Sequence, residues 1–355
     1  DFPMGNLIRI GVIGAGGNTR AKHIPGFQAI PGVKVTAVCN RTQASGEAVS
    51  KEFGIATVTD NWRDIVESPE IDAVCIGTWP NLHGKLAIAA LRAGKHVLTE
   101  ARMARNLAEA EMMHGESLSR PTLVAQIVPA PMSLPFDATI IDLLQSGALG
   151  ELREVLLTAT SDALADSSLP LSWRQDFSLS GKNTLYLGIY YEMVMRWLGR
   201  GVSSLIADAA VFSKERQDRE GGTHSTTIPE SVTVLGNYAA ASGRTVADGA
   251  RFVGHFSGVE RSAPRSEIRL HGSKAGVRLD LARNELWMTR GREAEKIVEI
   301  EPEKRGGWRV EADFIESIRE GKPVRLTDFA AGVEYMRFTE AVWESWNANG
   351  LRVTL

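Results

Sequence analysis

Hydrophobic and polar positions in the first third of the chain follow two alternating rhythms. Short, mostly apolar runs at Ile8–Ile13, Val33–Cys39, Ala73–Ile76, Val97–Thr99 and Leu123–Val128 read as strands of a parallel sheet. Helically spaced segments lie between them. One is capped by Thr42, runs to Phe53 and stops at Gly54. Others cover Trp62–Glu67, then Leu82–Arg92 before Gly94, then a segment to about Leu118 opened by the capping-box pattern Asn106-Leu107-Ala108-Glu109. Ala56–Val58 is short and extended. Such alternation requires a parallel sheet with helices on both faces.

After Pro129 the rhythm changes. Pro129, Pro131 and Pro135 form a linker before a helix, Asp137–Gln145. Strand patterns then dominate: Leu152–Thr160, Ser204–Ser213, Glu230–Tyr238, Ala250–Ser257, Glu267–His271, Gly276–Asp280 and Glu285–Thr289. Helical spacing returns at Leu185–Leu198, Trp308–Glu320 and Thr327–Asn347, and Arg216–Thr227 reads as a long loop or hairpin tip. This predicts an α+β region with a large, mostly antiparallel sheet and helices on one face. The expected division is 1–128 and 129–355.

A chain of 355 residues fits two domains, and 43% hydrophobic with 23% charged residues is ordinary for a globular protein. A net charge of −3 gives no basic stripe for nucleic acid. No apolar run reaches a membrane span. Asp1-Phe2-Pro3-Met4 shows no basic run or apolar core of a leader. Cys39 and Cys75 fall in apolar strands without metal spacing and read as buried thiols in a reducing, cytoplasmic setting. No His, Cys and carboxylate set has ligand spacing, so no metal is expected.

The first strand runs into Gly14-Ala15-Gly16-Gly17-Asn18-Thr19, which opens a helix through His23. Glycines let the backbone approach a pyrophosphate, and the free N–H groups and dipole of a helix start face it. Thr19 stands where a third glycine eases helix–strand packing. Four further segments accompany this turn: Thr78-Trp79-Pro80-Asn81-Leu82-His83; Ala93-Gly94-Lys95-His96-Val97-Leu98-Thr99-Glu100; Trp173-Arg174 before Ser180-Gly181; and Leu185–Leu198, ending Arg196-Trp197-Leu198-Gly199.

With these segments the chain resembles the glucose–fructose oxidoreductase/inositol dehydrogenase/MocA family over nearly its whole length. The resemblance implies an N-terminal Rossmann domain, doubly wound, that binds NAD or NADP. It also implies a sugar or polyol substrate at the open sheet of the second domain, and a homodimer or homotetramer built through that sheet. Gly14, Gly16, Gly17, Asn18 and Thr19 would meet the pyrophosphate. Thr78, Trp79, Pro80, Asn81 and His83 would surround the ribose and phosphates, with Glu100 and Ala101 near the nicotinamide ribose. Trp173 and Arg174 would border nicotinamide or substrate.

The second strand ends Cys39-Asn40-Arg41-Thr42, without the carboxylate that normally binds a ribose 2′-hydroxyl. Asn40, Arg41 and Thr42 suit a 2′-phosphate instead, which favours NADP over NAD. The family's Glu-Lys-Pro reads Glu100-Ala101-Arg102, and its Asp and His four apart read Tyr186 and Tyr190. Tyr190 is therefore the expected acid/base. Its phenol needs a neighbouring cation to lower its pKa, and Arg102 or Lys182 would supply one. Tyr186 lies one turn before it on the same face. The same tyrosines, with Tyr191, also fit plain core packing. Glu192 reads as structural or at the rim, and His255 and His271 as structural. Three functions follow: an NADP-dependent oxidoreductase of sugar-like compounds; a lyase or glycosidase that uses a tightly held nicotinamide transiently; and an inactive sensor of NADP or sugar.

Overall fold

A computed structural model describes residues 7–239 and 246–355. The opening residues inspected for a leader lie outside the described residues. Two units emerge. One combines the chain up to Pro129 with Arg309–Val333; the other combines Ala130–Trp308 with Glu334–Leu355.

The first unit holds a six-stranded parallel sheet. Its strands are β1 (Ile8–Ile13), β2 (Val33–Cys39), β3 (Thr57–Thr59), β4 (Ala73–Ile76), β5 (His96–Thr99) and β6 (Ala125–Ile127), in the order β3-β2-β1-β4-β5-β6. All four residues of β4 are buried, as a strand covered on both faces must be, so its sequence is continuously apolar rather than alternating. The strand order reverses between β1 and β4. The turns after these two strands therefore flank the crevice where open α/β sheets bind ligands.

Local chemistry sets the helix ends. Thr42 accepts a hydrogen bond from Ser45 N and caps Gln43–Phe53, which Gly54 ends at φ +68°. Asn106 accepts from Glu109 N at 3.0 Å, whereas the Glu109 carboxylate reaches back to Arg105 N rather than to the cap residue. Lys95 is a structural strut, donating to the carbonyls of Ser68 and Ile71 at 2.7 Å each.

The division at residue 128 needs correction for 309–333, which belongs with the first unit. Phe314 packs edge-on against Phe27 at 6.2 Å, Ile127 N donates to Thr327 O, and the Gln126 amide donates to Val310 O. The return segment thus closes the free edge of β6. Its helical pattern, read locally, does not say which of the two sheets it covers.

The second unit carries β7 (Leu152–Thr160), β8 (Ser204–Ala210), β9 (Glu215–Gln217), β10 (Thr223–Ser225), β11 (Ser231–Asn237), β12 (Val246–Ser257), β13 (Arg265–Gly272), β14 (Ala275–Asp280), β15 (Glu285–Arg290), β16 (Lys296–Ile297) and β17 (Val353–Thr354). Nine of these form one sheet in the order β16-β15-β14-β13-β7-β12-β11-β8-β17, antiparallel except where β7 meets β12. Alternate residues such as Val155, Leu157, Val234, Phe252, Phe256 and Ile268 are buried on one face. Tyr191, on the Leu187–Leu198 helix, stacks on Phe338 at 3.8 Å and meets Phe252 edge-on.

β9 and β10 form the separate hairpin in the loop expected at Arg216–Thr227. Arg216 is nonetheless not a loop residue in character. Its buried guanidinium donates to the carbonyls of Leu164, Asp166 and Leu169 and to Glu230 Oε1 at 3.0 Å. No described helix is long and apolar enough to cross a membrane.

Candidate functional site

The glycine turn is fixed by sterics. Gly14 adopts φ +86°, and a Cβ there would lie 2.8 Å from Thr78 N. Gly14 N donates to Cys39 O, and Ala15 N donates to the Asn40 side-chain oxygen, both at 2.8 Å. Asn40 thus spends its oxygen on holding the turn, and Thr42 spends its hydroxyl on its helix cap. Arg41 is exposed and has no hydrogen-bond or ion-pair partner among the described residues.

Thr19 is buried at the third-glycine position, and its hydroxyl occupies space that a side chain at Gly77 would overlap. A glycine on the neighbouring strand end therefore accommodates the missing one. A Cβ at Gly17 would meet nothing, and one at Gly16 only Gly77 O at 3.9 Å, so the space over the turn is open. Thr19–His23 winds as a π-helical turn. Pro25 follows, and its ring opposes the carbonyl four residues back in a regular α-helix.

That turn delivers His23 to the interior. Its Nε2 lies 2.8 Å from Glu100 Oε1 and its Nδ1 2.5 Å from Glu311 Oε1, with no exposed surface on the imidazole. Burial alone would lower its pKa, but the two carboxylates outweigh it and raise the value to about 9. Burial likewise works to raise the Glu100 carboxyl, yet His23 and Asn18 hold it below its ordinary range. Asn18 Nδ2 donates to the same Glu100 oxygen. Glu100 Oε2 has no partner among the described residues.

On the other bank of the crevice, Pro80 starts the Pro80–Arg92 helix and Trp79 stands at its cap, 41% exposed. The Asn81 side-chain oxygen is buried without a hydrogen-bond partner. His83 is fully buried, with Nδ1 2.9 Å from Arg102 O and Nε2 2.9 Å from Thr78 O. Burial holds its imidazole below the usual range. It ties two turns together. Arg102 is also buried, beside Ala101.

In the second unit Tyr190 is buried, its hydroxyl hydrogen-bonded to Ser266 Oγ and its ring edge-on to Phe256. The expected lowering of its pKa is not found: burial, and the neighbouring Tyr186 to a lesser degree, push the phenol up to about 12, against a smaller lowering by Ser266. Lys182, one of the two cations expected to activate it, is paired with Glu340. Tyr186 is 51% exposed with its ring 6.0 Å from that of Tyr190. Arg174 lies over the Trp173 ring at 4.3 Å. Glu192 is structural: it accepts from Ala130 N and from Arg196, which also reaches Asp137 at 2.5 Å, and Asp137 in turn accepts from Trp197.

The first unit therefore gathers the glycine turn, Asn40, Glu100 and the 78–83 turn around one crevice, and the second gathers Tyr186, Tyr190 and Ser266. His23, Glu311, Gly77 and Ser266 escaped sequence reasoning, because each acts through a partner remote in the chain.

Residues 8–118 match an oxidoreductase family with an NAD-binding Rossmann fold, and residues 138–278 match the GFO/IDH/MocA C-terminal domain. The chain belongs to the GFO/IDH/MocA oxidoreductase family. Levoglucosan dehydrogenase of Pseudarthrobacter phenanthrenivorans is 30% identical over 61% of this chain and 57% of its own length. The dTDP-3,4-didehydro-2,6-dideoxy-alpha-D-glucose 3-reductase of Streptomyces antibioticus is 28% identical over 91% of this chain and 92% of its own. The chain spans little more than half the length of the first curated relatives it matches. Among solved structures, apo levoglucosan dehydrogenase superposes with TM-score 0.87 at 22% identity, covering 99% of both chains, which establishes the shared GFO/IDH/MocA fold. That enzyme has also been solved with NADH and levoglucosan, with TM-score 0.84 at 23% identity over 98% of this chain and 99% of that one.

Proposed function

We propose that this GFO/IDH/MocA protein is a nicotinamide-dependent oxidoreductase of a sugar-like substrate, with NADP(H) preferred. One observation carries the reading. The crevice presents a sterically enforced glycine turn with open space above it, an orphaned Asn81 oxygen, a partnerless Glu100 oxygen and an uncommitted Arg41. These groups fit a dinucleotide. Gly14, Gly16, Gly17 and Asn18 would hold the pyrophosphate, Asn81 and Glu100 the ribose region, and Arg41 a 2′-phosphate. Bound there, a nicotinamide supplies a hydride acceptor or donor.

The proton falls to this chain's own side chains. With its pKa at about 12, Tyr190 is neutral near pH 7, so it serves as a donor rather than a base. That favours reduction of a carbonyl: the phenol gives its proton to the forming alkoxide, and Ser266 Oγ is the next link for its return. The levoglucosan dehydrogenase and dTDP-sugar reductase relatives support a carbohydrate-like substrate.

The cofactor reading is tested by titrating NADPH and NADH into wild type and Arg41→Ala. Loss of one charge-assisted contact should weaken NADPH by about 10-fold or more and leave NADH unchanged. Equal affinity for both cofactors in wild type sinks the NADP preference.

A homo-oligomer through the open sheet face is also proposed. Ile206, Leu235, Val253 and Leu156 are register partners across β8, β11, β12 and β7, and form a half-buried apolar row on the face opposite the core. Light scattering should give a multiple of the chain mass, and Leu235→Lys should reduce it to one copy.

A further inference from the structure

The fully buried imidazole under the glycine turn has no counterpart in the chemistry assigned so far. His23 sits between two carboxylates from opposite ends of the sequence, Glu100 at the end of β5 and Glu311 on the Val310–Glu320 helix. Glu311 reaches it past Gly26. A Cβ at that position would stand 2.8 Å from the Glu311 Cγ, Cδ and Oε2 atoms, so the glycine is a notch cut for this side chain. A carboxylate oxygen faces the ring at each of its two nitrogens. A neutral imidazole has one N–H and an imidazolium has two. The protonated ring therefore satisfies both and separates their charges.

Glu100 receives the consequence. His23 and the Asn18 amide both hold its Oε1, which leaves Oε2 as the oxygen open to a ligand. We propose that His23 is a positioning residue: as an imidazolium buttressed by Glu311, it holds the Glu100 carboxylate in place for the cofactor ribose. The proposal rests on Glu100 being a cofactor ligand.

The surroundings make His23 the group that titrates. His83, on the Pro80–Arg92 helix, acts on Glu100 but is held neutral by burial. The Cys75 thiol on β4, which feels both carboxylates, is pushed far up by burial. Asn18 does not ionise. The His23 pKa of about 9 lies above its ordinary value, so the clamp is complete at neutral and lower pH and is lost as pH rises through about 9. Neutral His23 then donates to only one of the two carboxylates, and the repulsion between them moves Glu100.

The test is the dissociation constant of NADH between pH 7 and pH 10, read by quenching of intrinsic fluorescence on wild type, Glu311→Gln, Gly26→Ala and Glu100→Gln. Thermal melts confirm that each variant is folded. Wild type should hold its affinity to about pH 8 and weaken by about 10-fold above pH 9, the scale of one hydrogen bond to a charged group. Glu311→Gln removes one of the charges that keep His23 protonated, so its break should move to lower pH. Gly26→Ala should do the same without changing any ionisable group, because it pushes Glu311 aside. A wild-type affinity flat to pH 10, or an unmoved break in both variants, overturns the inference. Unchanged NADH affinity in Glu100→Gln at pH 7 instead removes the cofactor role of Glu100 on which it rests.

Discussion

The glycine-turn crevice and the Leu187–Leu198 helix are the two places where the sequence resemblance suggests a departure from the family pattern, and the structure builds them in opposite ways. In the crevice Thr19 stands at the third-glycine place of the Gly-x-Gly-x-x-Gly pattern, and Gly77 leaves room for its hydroxyl. Recognition there depends on shape and on backbone groups, so a local exchange of volume preserves it. At the start of the helix, Tyr186 and Tyr190 stand where the sequence resemblance leads one to expect an Asp and a His. Tyr190 is drawn into the aromatic core beside Phe256, and its pKa moves away from neutrality. Proton chemistry depends on one group's local dielectric and charge, which packing alone does not restore. The shape of the turn is thus kept by an exchange of volume, whereas packing leaves the Tyr190 phenol far from neutrality.

The sharpest way to break this contrast is Tyr190→Phe. If the phenol is the proton donor, kcat for carbonyl reduction should fall about 10²–10⁴-fold while the melting temperature moves little. A large loss of stability with kcat retained would return Tyr190 to the core. Because its pKa is raised above the unfolded value, the stability given by the neutral phenol is complete below about pH 10 and is lost toward pH 12. The rate profile should accordingly show no Tyr190 limb between pH 6 and 9.

A second probe separates structural charge from functional charge on the same helix. Arg196→Ala leaves Glu192 and Asp137 buried without their counter-ion and should cost about 3–5 kcal/mol by chemical denaturation. A cost under about 1 kcal/mol would mean that these carboxylates do not depend on it. The smallest expected effect belongs to the crevice. Gly77→Ala should destabilise by about 1–3 kcal/mol through overlap with Thr19 and the Gly14 carbonyl. Thr19→Gly should recover only part of that cost, since the backbone carbonyl remains.

Most of the architecture was legible because it follows local rules. Mostly apolar runs mark β1, β2 and β4, and Thr42, Gly54 and Asn106 mark helix ends. Strand ends were read less well. Leu123–Val128 narrows to Ala125–Ile127, and Ala250–Ser257 lengthens to Val246–Ser257 with a register shift beyond Arg251. Pairing with a neighbour sets these limits, not propensity. The return of 309–333 was hidden for a similar reason, because the amphipathic pattern of a helix does not say which sheet it covers.

The site divides the same way. The glycine turn and Glu100 announce themselves by motif. The Glu311 contact to His23 spans 288 positions, and the Ser266 contact to Tyr190 spans 76, with no local signal at either end. Lys182 carried the expected charge, but Glu340 claims it in the fold.

The fit between Thr19 and Gly77 also bears on which substitutions the crevice can accept. The Gly14 carbonyl already forbids any side chain at position 77, whatever residue occupies position 19. The hollow beside Thr19 is thus an obligation of the turn's own backbone, whatever side chain fills it. Tolerance to substitution in this crevice is therefore one-sided: position 77 is bound by a carbonyl that no exchange of side chain removes, and position 19 only by the space it shares.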